Sequence, residues 1–174
     1  MRLKALLDRI ALQRKEDFPF PEDIESYIED FIPNHLLKSE TLQQAFGITD
    51  YEMEKLYEDA YNFYEKNAYQ DGLTLFRWLI LFNPYAPKYW MGFAAILQLS
   101  KAYDKALHAY AVITLLDSNN PYPHFHAYEC YSLMENRTEA RKALELAYHH
   151  CSNQFAYAQL KEEIERIKLE AVIN

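Results

Sequence analysis

A period of 34 residues runs through this chain and limits what it can fold into. Gly72, Ala106 and Ala140 recur at that spacing, as do Phe76, Tyr110 and Leu144, and Phe63, Leu97 and Tyr131 keep the register without a gap. Pro87 and Pro121 are 34 apart as well. A unit of this length cannot bury its apolar face alone, so neighbouring units must stack to make a continuous core. Apolar positions within each unit recur at three and four, which predicts helix pairs. The first helices are expected at 53–66, 87–99 and 121–134, and their partners at about 70–82, 104–116 and 138–150, joined by the turns KNAY, SKAY and ENRT. Pro87 and Pro121 would stand in a first turn, where a backbone N–H has no partner to lose.

This is the tetratricopeptide spacing, with a large, small and aromatic residue on the first helix and a small residue, an aromatic and a proline on the second. The middle unit carries it as Trp90, Phe93, Ala94, Leu97, Ala106 and Tyr110, and the first as Leu56, Ala60, Phe63, Gly72, Phe76 and Pro84. The third is more degenerate. His124 takes the large position and Tyr128 the small one, while Ala140 and Ala147 remain. With only three glycines in 174 residues, turn-rich β folds are disfavoured. The expected fold is all-α, a right-handed superhelix of three tetratricopeptide repeats (53–86, 87–120 and 121–152) with N-terminal helices and a C-terminal capping helix.

The N-terminal segment, 1–48, reads as a helix at 2–14, a proline-broken FPFPED, a short acidic helix near 22–31 and an amphipathic stretch, NHLLKSETLQQAFGI. Thr49 or Asp50 can cap the first repeat helix, with Glu52 and Glu54 in its first turn. Residues 153–174 read as a charged helix that covers the apolar face of the last repeat, as solenoids require.

A formal charge of −8 and the lack of a basic patch exclude nucleic acid as the expected partner. No stretch has the length of a membrane span, and the opening MRLKALLDRIALQRKE interleaves charges where a signal peptide carries an unbroken apolar run. An unexported protein of a reducing cytoplasm, not inserted in a membrane, is expected; two cysteines, Cys130 and Cys151, are too few for a disulfide framework. Nucleophile elbows, phosphate-binding glycine loops and zinc-protease motifs are all missing, so no enzyme activity and no cofactor are expected.

The run HFHAYEC invites a metal reading. On a helix His124 and His126 lie about 200° apart, and His126 with Cys130 makes only two of the four ligands a structural zinc needs. Helix packing is the better reading, and no metal site is expected.

On the first repeat helix, LYEDAYNFY sets Leu56, Ala60 and Phe63 on one stripe and Tyr57, Tyr61 and Tyr64 on a second, rotated by about 100°. One stripe suffices for packing within the repeat. The second must be covered by the N-terminal segment or bind something, and in stacked helix pairs the first helices line the concave surface. The corresponding positions are Lys88, Met91, Ala95 and Gln98 in the second repeat, and Tyr122, Phe125, Glu129 and Ser132 in the third. An aromatic and small-residue trough of this kind suits an extended peptide with apolar anchors.

The segment from YEMEKLYEDAYNFY to PYPHFHAYEC resembles the class II chaperones of bacterial type III secretion, over about residues 48–150. Leu56-Tyr57, the block from Tyr89 to Ala95, Ala102-Tyr103 with Ala106-Leu107, and Pro121 followed by Phe125-His126-Ala127 and Glu129-Cys130 carry the likeness. The resemblance implies a cytoplasmic chaperone whose groove holds an extended segment from near the start of a hydrophobic translocator protein, often of proline-x-leucine-x-x-proline type, stabilising it before export. It assigns Tyr57, Tyr61 and Tyr64 to that groove. It also implies a homodimer formed through about 35–46. Tyr128 departs from the family's small residue, and the segment before the repeats is longer than the family's. The alternative is an adaptor or needle-subunit chaperone that binds a partner helix.

Overall fold

Three turns of the molecule close in the same way. Asn67, Lys101 and Glu135, 34 residues apart, all have left-handed backbone, with φ of 57°, 62° and 60°. Each is followed by a residue whose N–H reaches five residues back: Ala68 to Phe63 O, Ala102 to Leu97 O and Asn136 to Tyr131 O, all at 2.9 Å. The left-handed residue itself donates three back, to Tyr64, Gln98 and Ser132. These paired bonds form the Schellman motif, which satisfies the last carbonyls of a helix and reverses the chain. They fall in KNAY, SKAY and ENRT, the segments read as turns from the periodicity.

The computed structural model describes residues 3–6, 8, 41–151 and 155–173. The FPFPED break, the acidic helix at 22–31, most of the helix at 2–14 and residues 35–40 of the expected dimer segment lie outside the described residues. Residues 3–6 are helical, and no strand occurs among the described residues. The chain divides into two compact units, Met1–Ile96 and Leu97–Asn174.

In the first unit, α1 (Leu42–Ala45) is followed by α2 (Asp50–Glu65), α3 (Tyr69–Phe82) and most of α4 (Pro87–Leu99). Reciprocal capping boxes open the first two: Thr41 with Gln44, and Thr49 with Glu52. Because the Thr49 hydroxyl accepts from Glu52 N while Glu52 accepts from Thr49 N, α2 begins three residues before the predicted 53. Buried Gln43 ties α1 to both neighbours, donating to Asp50 Oδ1 at 2.7 Å and accepting from Asn83 Nδ2 at 2.9 Å. Met53, Leu56 and Ala60 of α2 are buried, as are Leu73, Phe76, Leu79 and Ile80 of α3. Gly72 leaves room for Ile96, since a Cβ there would lie 2.7 Å from Ile96 Cδ1 and the end of that side chain would have to shift. At Gly92 a Cβ would overlap the ring of Phe76, itself 1% exposed. Small residues at these two positions set how closely α4 approaches the α2–α3 pair. Trp90, the large residue of the middle repeat, is buried with its indole N–H donating to Pro84 O at 2.7 Å.

The second unit contains the end of α4, then α5 (Tyr103–Leu116), α6 (Tyr122–Leu133), α7 (Arg137–Cys151), a 3-10 turn (Phe155–Tyr157) and α8 (Ala158–Ile173). Pro121 is the cap residue of α6 rather than part of its first turn, which holds Pro123 instead; both are buried. Leu160 and Ile164, one turn apart on α8, bury themselves with Phe125, Leu144, Ala147 and Cys151, and Tyr128, Tyr148, Tyr157 and Ile167 pack around that cluster. The charged side of α8 is held outside it. Lys168 pairs with Glu145 at 2.7 Å, and Glu165 accepts from the Tyr148 hydroxyl at 3.0 Å.

Candidate functional site

The expected site residues fall into two rows, one in each unit, and the rows differ in character. In the first unit Tyr57, Tyr61 and Tyr64 recur at four and three along α2, so their rings overlap along one side of it. Tyr57 and Tyr61 stack with centroids 6.4 Å apart, and Tyr61 and Tyr64 at 5.8 Å. Tyr61 remains 45% exposed in the middle of the row. Tyr57 is braced from beneath by the edge of Phe76 at 6.0 Å and from the side by Tyr89 at 5.9 Å. Tyr89 was not among the residues read from the sequence as a site. It is 4% exposed, and burial, with the charges of Glu54 and Asp50 adding to it, pushes its phenol up to about 12.

Lys88 is engaged in two ways. It is ion-paired with Glu54, and its ammonium stands 4.7 Å from the centroid of the Tyr57 ring and 5.5 Å from that of Tyr89, so its charge lies over ring faces that attract it. Burial raises the Tyr57 phenol, and the Lys88 charge partly opposes this. Met91 and Ala95, also on α4, are half-buried.

The second row is polar. The Tyr110 hydroxyl donates to Gln98 Oε1 at 2.7 Å, and Gln98 Nε2 donates to Glu129 Oε2 at 3.0 Å. His126 Nδ1 meets the same Glu129 oxygen at 2.8 Å. The His126 ring is stacked on Tyr110, with centroids 5.3 Å apart, and on Tyr122 at 6.3 Å. Tyr157, from the turn before α8, meets Tyr122 edge-on at 5.7 Å. Burial would raise the Glu129 carboxyl, but its hydrogen bonds from His126 and Gln98 outweigh that and hold it below the usual carboxylate range.

Phe125 departs from the expected arrangement. It belongs to the apolar cluster under α8 and is 7% exposed, because Leu160 and Ile164 cover the side of α6 from which it projects. The open row of α6 therefore runs Tyr122, His126, Glu129, with His126 where Phe125 was expected. Spacing of four and three, the same as in the tyrosine row, was the available signal for His126. Gln98 was expected from the repeat register, whereas for Tyr110 as its partner no local signal existed.

His124 and Cys130 of HFHAYEC are packing residues here. His124 stacks on His150 with centroids 5.0 Å apart and planes 6° from parallel, and burial followed by the His150 charge lowers its pKa. Burial pushes the Cys130 thiol up to about 12, with the Glu129 charge contributing, so at neutral pH it is not a thiolate nucleophile. Among the described residues no group of three His, Cys, Asp or Glu side chains is placed to hold a metal ion.

A tetratricopeptide repeat family model matches residues 87–120. The chaperone protein SicA of Salmonella typhimurium is 32% identical over 144 residues, covering 83% of this chain and 87% of SicA. SycD of Yersinia enterocolitica, a type III secretion chaperone solved with a peptide of the translocator YopD, is 30% identical with a TM-score of 0.65, over 71% of this chain and 98% of SycD. The protein belongs to the family of type III secretion translocator chaperones. A further match to this chaperone is a chain of the CopN–Scc3 complex, 43% identical with a TM-score of 0.88, over 95% of this chain and 98% of that one. Tyr128, where the chaperone family pattern has a small residue, is accommodated by packing on the cluster under α8, its ring 5.9 Å from that of Phe125. No helix among the described residues is long and apolar enough to cross a membrane.

Proposed function

We propose that this protein is a non-enzymatic chaperone of the bacterial cytoplasm that binds a hydrophobic translocator protein before its export and takes up an extended segment of it. The observation that carries this reading is the stacked row Tyr57, Tyr61 and Tyr64, half-buried at its ends and exposed at Tyr61, in a chain 30% identical to a chaperone solved with a translocator peptide. Tyrosine suits the task. It offers a large apolar face and a hydroxyl with few torsions to freeze, and bracing by Phe76 and Tyr89 has already ordered Tyr57. An extended segment pays an ordering cost on binding, so preorganised rings raise the net affinity. Met91 and Ala95 extend the apolar contact on α4, and Gln98, Tyr122 and Glu129 form a second contact row in the second unit. Phe125 acts from beneath that row by fixing α6. Homodimerisation through about 35–46 belongs to the same proposal.

A CopN-like protein is the second candidate client, favoured by the greater identity to the CopN–Scc3 chain. Co-expression with each candidate client, followed by co-purification, separates the two. The test of the site is the double variant Tyr61→Ala, Tyr64→Ala. Client capture should be lost while far-ultraviolet circular dichroism keeps its helical amplitude, and undiminished capture would remove the row from the binding surface.

A further inference from the structure

Glu129 has one oxygen spent and one open. Oε2 accepts from both Gln98 Nε2 and His126 Nδ1, whereas Oε1 takes no hydrogen bond among the described residues. The Glu129 side chain is 37% exposed, so this oxygen is reachable without being fully hydrated. Beside it on the same face of α6 stand His126 and Tyr122, the latter 41% exposed, with their rings stacked. An ionised carboxylate attracts a cation through its charge, and the Tyr122 ring two turns back on the same face gives a long alkyl stem an apolar surface to lie along. The net charge of −8 draws basic segments toward the protein at longer range.

We propose that Glu129, Tyr122 and His126 form a specificity subsite for a lysine side chain of the client segment, an inference that rests on the client-binding reading above. Lysine is preferred to arginine because only one carboxylate oxygen is open. A point-charge ammonium satisfies a single acceptor, whereas the guanidinium fork is matched by two. Gln98 and Tyr110 are positioning residues. Their hydrogen bonds fix the carboxylate plane and leave Oε1 outward.

The test uses the full chain and fluorescein-labelled twelve-residue probes with a proline-x-leucine-x-x-proline core, in which lysine or Nε-acetyl-lysine is walked through the flanking positions. Acetylation removes the charge and keeps the stem. By fluorescence anisotropy, lysine at one position should bind about five- to tenfold tighter than acetyl-lysine, and the Glu129→Gln protein should reduce that ratio to below about twofold. A lysine preference at no position, or one unchanged in Glu129→Gln, overturns the subsite while leaving client binding intact. If no probe binds at any position, the client-binding reading fails and the subsite fails with it.

Discussion

The first repeat helix and the third use the same register for different chemistry. Tyr61 on α2 and Glu129 on α6 are related by two periods, and so are Tyr57 and Phe125. In the first unit the row is all tyrosine, held by stacking and by the Phe76 and Tyr89 rings. In the second, Phe125 has been drawn into the core by α8, and its place in the open row is taken by an imidazole bonded to a carboxylate. A second equivalent pair makes the same point. Gly92 on α4 and His126 on α6 are 34 apart, as are their partners Phe76 and Tyr110. Gly92 lets the α4 backbone lie on the Phe76 ring, whereas His126 interposes a stacked ring on Tyr110. A repeat thus conserves the backbone geometry while each unit decides separately whether its first helix presents area or charge.

The sharpest way to break this comparison is to truncate equivalent positions. Phe125→Ala should cost about 3–5 kcal/mol of stability, because it empties a ring-sized volume under α8. Tyr61→Ala should cost under about 1 kcal/mol, since that side chain is nearly half exposed. Urea denaturation of both variants checks this, and equal costs would return Phe125 to the surface row. Next in size, Gly92→Ala should destabilise by about 1–3 kcal/mol despite the better helix propensity of alanine, because the Phe76 ring has nowhere to move. A midpoint at or above the wild-type value would show that α4 is not held against that ring.

Smaller effects test the turns and the carboxylate. Glu135→Gly should stabilise the protein by about 0.5–1 kcal/mol, since glycine adopts the left-handed conformation of that turn without the Cβ penalty. A lower midpoint would mean that the Schellman turn does not carry strain. Glu129, with its pKa depressed in the folded state, contributes stability that is present above the carboxylate's unfolded value and lost as pH falls through the folded one. Glu129→Gln should therefore flatten the acid side of the stability profile as pH falls through and below the ordinary carboxylate range. The change is small because solvent reaches more than a third of the side chain. An unaltered acid limb would show that Gln98 and His126 do not hold the charge.

Most of the helix pattern was legible because it depends on local spacing. The second-repeat first helix was expected at 87–99 and is Pro87–Leu99, and the three turns lie where KNAY, SKAY and ENRT were read. The tyrosine row was visible for the same reason, since residues at four and three share a face on any α-helix. Phe125 was misplaced because helix periodicity specifies an angle around α6 and says nothing of what covers that angle. The chain from Tyr110 through Gln98 to Glu129 was invisible because its bonds join three helices, with 31 residues separating Gln98 from Glu129.

The sequence by itself determined the helix pairs and their turns, because apolar periodicity, capping residues and repeat length act within a few dozen residues of chain. Only the tertiary structure decided which apolar residue of α6 became core and which carboxylate oxygen was left open. Those outcomes depend on where α8 comes to rest and on hydrogen bonds between side chains distant along the chain, and burial and bond direction are properties of the packed neighbours rather than of the residue itself.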